Sequence, residues 1–206
     1  MPKTISSGGA DTALSDLGVL ILAGGQATRL PNKLELDAGR LPMIARVYRN
    51  VSANRETFIS CKGTFPPAID ALLPCPMVVD RWPLRGPLSG ILSTMHEMRS
   101  RYVFAVAGDA PFITSAFIDR LAELVRPGDE AAVPRHGGQI EPLAAIYDRQ
   151  AYLRAGVPLL MAGKGALRLV IDGLRANYVE MKDDERLFAN VNTPADYAAV
   201  HEVLTT

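Results

Sequence analysis

The 206 residues, 48% hydrophobic and 21% charged, have the composition of an ordinary globular domain and exclude a disordered or collagen-like chain. Lys plus Arg number 22 and Asp plus Glu 22, so a formal net charge of +0 gives no global field to recruit nucleic acid or an acidic membrane. Two cysteines, Cys61 and Cys75, cannot build a disulfide framework or a four-thiolate zinc site, and no apolar run approaches the ~20 residues of a transmembrane helix.

Residues 1–17 are rich in Ser, Gly, Asp and Ala without periodicity, and are expected to form a flexible extension. No basic segment followed by an apolar one opens the chain, so a cytoplasmic protein is expected. Residues 18–206 read as a single domain. It begins with Gly18-Val19-Leu20-Ile21-Leu22-Ala23, an apolar run ended by Gly24-Gly25, as in a strand buried on both faces. Met43, Ile44, Val47, Tyr48 and Val51 recur at helical spacing behind Pro42. Thr57–Cys61 and Met77–Val79 read as strands. Leu88, Ile91, Leu92, Met95 and Met98 form the stripe of an amphipathic helix.

Tyr102–Ala107 is a further buried strand, stopped by Gly108-Asp109-Ala110-Pro111. A helix from Phe117 to Val125 follows, capped by Thr114 or Ser115 and stopped at Pro127-Gly128. Ala131–Pro134 and Leu143–Tyr147 read as strands about a Gly137-Gly138 turn. Leu167, Val170, Ile171 and Leu174 mark a helix, and Ala176–Met181 another strand. Thr193-Pro194-Ala195-Asp196 is a capping box with Pro at the first helical position. Strands alternating with helices predict an α/β fold, a mostly parallel sheet covered by helices.

Open α/β sheets bind ligands at the carboxyl ends of their strands, and two segments fall there. In Leu22-Ala23-Gly24-Gly25 the glycines let the backbone approach an anion, with Arg29 and Lys33 supplying positive charge; a tight turn beside surface cations reads equally well. Asp109, between Gly108 and Pro111, suits a hard cation that takes one carboxylate and otherwise keeps water and phosphates, or alternatively an Asx-turn that caps the strand. Neither the Gly-x-Gly-x-x-Gly nor the Walker fingerprint is present. His96, His136 and His201 are too scattered for a zinc site.

Five stretches in order carry a resemblance: Leu22-Ala23-Gly24-Gly25 with Arg29 and Lys33, Gly86-Pro87-Leu88-Ser89-Gly90, Gly108–Phe112, Glu141–Tyr147, and Asn190–Asp196. The chain resembles the molybdenum cofactor guanylyltransferases, within the molybdopterin-type nucleotidyltransferases. The resemblance implies a three-layer Rossmann-like nucleotidyltransferase fold. It implies transfer of GMP from GTP to the terminal phosphate of molybdopterin (Mo-molybdopterin), with release of pyrophosphate and formation of the guanine dinucleotide cofactor. By match, Leu22, Ala23, Gly24, Gly25, Lys33, Asp80, Gly86 and Asp109 contact the nucleotide. Arg29, Lys33 and Asp109 carry the catalysis, Asp109 holds Mg²⁺, and Asn190 and Asn192 line the cofactor side.

Implied partners are GTP, molybdopterin, molybdoenzymes and their chaperones, with no nucleic acid and no membrane. Pro31 stands where the family usually has Gly, and the Arg29–Lys33 spacing is short, so the loop offers one N–H donor fewer. The alternatives are a related nucleotidyltransferase using CTP or a sugar phosphate, and a non-catalytic nucleotide- or cofactor-binding protein. Leu-Ala-Gly-Gly resembles the guanylyl type, the cytidylyl type being closer to Ala-Ala-Gly.

Overall fold

The structure is a computed structural model that describes residues 14, 16–24, 29–80, 86–182 and 185–205. The extension expected over residues 1–17 lies outside them except at its end, where Leu17 already opens the first strand. In chain order the elements are β1 (Leu17–Leu22), α1 (Met43–Val51), β2 (Thr57–Cys61), α2 (Pro67–Asp70), β3 (Met77–Val79), α3 (Pro87–Glu97), β4 (Tyr102–Ala107) and α4 (Ser115–Ala122). They continue as β5 (Ala131–His136), β6 (Gln139–Ile140), β7 (Ala144–Asp148), α5 (Arg149–Met161), α6 (Leu167–Asp172), β8 (Ala176–Glu180), a 3₁₀ turn (Glu185–Phe188) and α7 (Pro194–Thr205).

The strands form one sheet in the order β3-β2-β1-β4-β7-β5-β6, with β8 pairing β5. Pairs β1–β2, β1–β4, β2–β3 and β5–β8 are parallel, while β7 runs antiparallel to both β4 and β5. The fold is thus the expected mostly parallel α/β sheet with helices on both faces, interrupted by reversed β7 and edged by the short reversed β6. Alternation along β1 divides the core: Val19 and Ile21 face α1, α2 and α4, whereas Leu20 faces α3, α5 and α6. A third, smaller cluster of Ala38, Met43, Val191 and Val200 docks α7.

Register brings the strand ends to one rim. Leu22 lies opposite Ser60 on β2 and Ala107 on β4. The Ala23 N–H then donates to Ser60 O (2.7 Å), the Gly108 N–H to Leu22 O (3.0 Å) and the Asp80 N–H to Cys61 O (3.1 Å). Reversed β7 starts at the same level, since Ala144 pairs Val106, so Leu143 joins the rim.

Helix α3 departs from the amphipathic expectation: Leu88 to Met95 are buried all round. It is sandwiched between the sheet and α5, and two glycines set both distances. A Cβ on Gly90 would lie 2.5 Å from Ser60 Oγ, and one on Gly156 of α5 would lie 2.9 Å from Leu92 Cδ2. Helix α5 itself is absent from the sequence reading because Gly156 and Pro158 interrupt its pattern; the Asp148 carboxylate starts it by accepting from the Ala151 N–H (2.9 Å). Helix α4 is capped by Thr114 as expected but stops at Ala122, short of Val125. Gly137 (φ 56°) and Gly138 (φ 78°) supply the left-handed turn joining β5 to β6.

A Gly156→Val variant tests the α3–α5 approach. Leu92 is buried and must move, so urea unfolding should show a loss of about 1–3 kcal/mol. An unchanged midpoint would mean that the helices are free to separate.

Candidate active site

A cavity of about 690 Å³ opens along the strand-end rim. Leu22, Ala23 and Gly24 from β1, Ser60 to Phe65 from β2, Asp80 after β3, Gly86, Pro87 and Gly90 from α3, and Ala107 and Asp109 from β4 all line it. Gly24 needs no special backbone, and a Cβ there would meet only the Lys62 stem at 3.6 Å. Its missing side chain therefore leaves the backbone open to the cavity. Gly108 is different: a Cβ would crowd Ile44 Cδ1 (3.0 Å) and Leu22 O (3.2 Å), so that glycine serves packing. Gly86 sits at φ 149° immediately before α3 and requires glycine for its backbone.

Asp109 is buried on the turn after β4 and forms an ion pair with the Lys33 ammonium. The same Nζ donates to Asn192 Oδ1 at 2.8 Å, and the Val191 N–H donates to Asp109 O at 3.0 Å. Three segments, separated by 76 and 159 residues from Lys33, thus meet at one ammonium group. Lys33 reaches it because Asn32 takes a left-handed conformation (φ 54°), which turns the chain inward after exposed Pro31.

Asn192 is held in turn. The Asp196 carboxylate accepts from the Asn192 and Thr193 N–H groups (2.9 and 2.8 Å), while the Asp196 N–H donates to Thr193 Oγ1 (3.2 Å), completing the expected capping box. The Asn192 N–H, followed by the Thr193 hydroxyl, holds the Asp196 carboxyl below its usual range, and Arg29 adds to the effect.

Asp80 is fixed by hydroxyls from α3, accepting from Ser89 and, at 3.3 Å, from Ser93. Lys33, Asp80, Gly86, Asp109 and Leu22 to Gly24 are therefore gathered at one cavity, with Asn192 joined through Lys33. Gly25 lies outside the described residues. Arg29 is exposed near Asp196 and does not line the cavity; Asn190 is likewise exposed, its amide donating to Phe188 O (3.3 Å).

Residues without a motif also contribute. Lys62, Thr64 and Phe65 enter from the segment after β2, and the Ser60 hydroxyl is buried with no partner. Only the position of β2 beside β1 could have flagged them. His96 and His201 lie elsewhere, His201 Nε2 resting 3.2 Å from Asp37 Oδ2. Burial pushes both thiols up, that of Cys75 to about 11, so neither is an activated nucleophile.

Among the described residues no three His, Cys, Asp or Glu side chains gather to cage a metal. A single buried carboxylate, here paired with the Lys33 ammonium, is the kind of donor a hard cation such as Mg²⁺ takes when it keeps most of its other ligands as water or phosphate.

Residues 19–177 match the family described as the MobA-like NTP transferase domain. A probable molybdenum cofactor guanylyltransferase of Pelotomaculum thermopropionicum is 33% identical over 184 residues, 86% of this chain and 88% of its own. A namesake from Methanosarcina acetivorans is 30% identical, covering 86% of each chain. Among solved structures, molybdopterin-guanine dinucleotide biosynthesis protein A of Archaeoglobus fulgidus superposes with TM-score 0.77 at 21% identity, over 90% of this chain and 97% of its own. A 2-C-methyl-D-erythritol 4-phosphate cytidylyltransferase from Thermus thermophilus shares the fold at TM-score 0.69 and 18% identity, over 93% and 100%.

The Lys33–Asp109 pair yields a thermodynamic test. Lys33→Met leaves a buried carboxylate without its countercharge and should cost about 2 kcal/mol in urea unfolding. Adding Asp109→Asn should recover more than half of that loss. Strictly additive effects, within ~0.5 kcal/mol, would show that the two side chains do not couple.

The chain belongs to the MobA-like NTP transferase family and is a nucleotidyltransferase by that membership.

Proposed function

We propose that this nucleotidyltransferase moves GMP from GTP to the terminal phosphate of molybdopterin, releasing pyrophosphate. The convergence of Lys33, Asp109 and Asn192 beside the open backbone of Gly24 carries the reading. Relatives of nearly the same length named for that activity support it. The acceptor's phosphate oxygen forms a bond to the α-phosphorus of GTP, and the bond from that phosphorus to the bridging oxygen of the β-phosphate breaks. Pyrophosphate leaves with the electron pair. The nucleophile is anionic at neutral pH, so no strong base is required, in keeping with a site without histidine among its described lining residues.

Most of the expected residues have a part in this scheme. Gly24 lies under the nucleotide, and Leu22, Ala23, Asp80 and Gly86 shape its nucleoside side. Asp109 would hold Mg²⁺, which supplies Lewis-acid charge neutralisation at the phosphates when bound. With Asp109 committed to that cation, the Lys33 ammonium would be free to donate to the phosphate oxygens. Asn190 and Asn192 meet molybdopterin, while Arg29, outside the cavity wall beside Asp196, takes no part in this arrangement.

The reaction is assigned to the cytoplasm, with molybdoenzymes and their chaperones receiving the product. Two unpaired thiols and the lack, among the described residues, of a helix long and apolar enough to cross a membrane are consistent with that placement.

Pyrophosphate release from GTP, Mg²⁺ and Mo-molybdopterin tests the proposal. Wild-type protein should turn over, and Asp109→Asn should be at least ~100-fold slower while remaining folded. Near-wild-type turnover in that variant would make Asp109 a turn cap and remove the mechanism. Turnover with CTP in place of GTP would instead transfer the reading to the cytidylyl class.

A further inference from the structure

Helix α7 carries a stripe that the catalytic scheme does not use. Tyr197, Val200, His201 and Leu204 lie on neighbouring turns of one face, and that face meets the segment that follows Lys33. Tyr197 Oη donates to Asp37 O at 2.9 Å, and His201 Nε2 rests 3.2 Å from Asp37 Oδ2. Val200 is buried with Ala38 and Met43. At the last turn of α7 a Cβ on Gly39 would lie 2.6 Å from Leu204 O, so the helix and the segment touch along their whole shared length.

The segment leaves little slack between Asp37 and Lys33. Asp37 and Pro42 form a bridge that closes a tight turn, in which the Ala38 N–H donates to Leu41 O at 2.7 Å. Gly39 and Arg40 at its tip are both left-handed (φ 72° each). Nearer Lys33, Leu34 O and Leu36 O accept from the Ile44 and Met43 N–H groups at 3.0 and 2.8 Å. The backbone that carries Lys33 is therefore held by the start of α1 on one side and by α7 on the other.

The same helix holds the group that Lys33 reaches. Asp196, in the first turn of α7, accepts from the Asn192 and Thr193 N–H groups, and Asn192 Oδ1 accepts from Lys33 Nζ at 2.8 Å. One helix thus fixes both sides of the contact: the backbone the lysine leaves from and the carbonyl it meets. Packing alone does not call for the Tyr197 hydroxyl. Val200 and its apolar neighbours supply the burial, whereas the Tyr197–Asp37 bond lies at the surface and contributes direction.

We propose that Tyr197 is a positioning residue for Lys33: by holding Asp37, its hydroxyl sets where the Lys33 ammonium stands between Asp109, Asn192 and the nucleotide phosphates. Tyr197 touches no substrate itself and acts through the loop. Small misplacements of a phosphate-binding group are costly, up to about 100-fold for 1 Å, so a bond at the far end of the loop has a readable effect at the ammonium. The effect on phosphates rests on the guanylyltransferase reading; the placing of the ammonium does not.

Two measurements on Tyr197→Phe, which keeps the ring and should stay folded, test this. In protein labelled with ¹⁵N at its lysine side chains, the Lys33 ammonium resonance is identified by its loss in Lys33→Met. Without nucleotide it should shift in Tyr197→Phe, while the resonances of Lys62 and Lys164 stay in place. Binding of GTP with Mg²⁺, followed by titration calorimetry, should weaken about three- to tenfold in Tyr197→Phe, the scale of one hydrogen bond. The same substitution made in Lys33→Met should cause no further loss, because its effect passes through that ammonium. An unmoved Lys33 resonance would make the Tyr197 hydroxyl a plain helix-docking contact and overturn the proposal. A loss of GTP affinity equal with and without Lys33 would overturn it as well. Wild-type protein that binds no GTP would defeat the guanylyltransferase reading and the phosphate part of this proposal with it, and the resonance, read without nucleotide, would still decide whether Tyr197 places Lys33.

Discussion

The ammonium of Lys33, held between the Asp109 carboxylate and the Asn192 carbonyl, is the interaction on which the site depends. It ties the loop after β1, the turn after β4 and the segment before α7 to one point. A buried carboxylate at the end of a strand is costly unless it is balanced. Here the balancing charge is the Lys33 ammonium, which is itself held by Asn192.

That point exists because of register. Leu22, Ser60 and Ala107 end their strands at one level, and backbone hydrogen bonds from Ala23, Asp80 and Gly108 extend the rim by a residue each. Reversed β7 brings Leu143 to the same rim, and the capping box at Thr193–Asp196 orients Asn192 toward it. Gly90 and Gly156 let α3 lie close to the sheet on one side and to α5 on the other, which places the start of α3 in the cavity wall. The core packing and the site geometry are one set of distances.

Much of this was legible in the residues. Strands β1 and β4 are short apolar runs stopped by glycine, and a strand buried on both faces has little other way to be written. Lys33 and Asp109 stood in motifs at strand ends, and Asn192 in a capping box. Helix α5 was not legible, because Gly156 and Pro158 disrupt its periodicity and its burial is supplied by Leu88 and Leu92 of a different helix. Lys62 and Ser60 carried no motif; their place at the cavity comes from β2 lying beside β1, a tertiary fact. Arg29 read as a phosphate contact from proximity in sequence, whereas in space its charge lies near Asp196.

Under the proposed mechanism, Asp109 would become a metal ligand only as nucleotide draws Lys33 away. Mn²⁺ binding, followed by electron paramagnetic resonance with and without a non-hydrolysable GTP analogue, addresses it directly. Mn²⁺ should bind weakly to the protein alone and at least about tenfold more tightly with nucleotide, beyond the affinity of the nucleotide itself for the metal. Asp109→Asn should abolish that gain. Equal Mn²⁺ affinity with and without nucleotide, or a gain that survives in Asp109→Asn, would contradict the account.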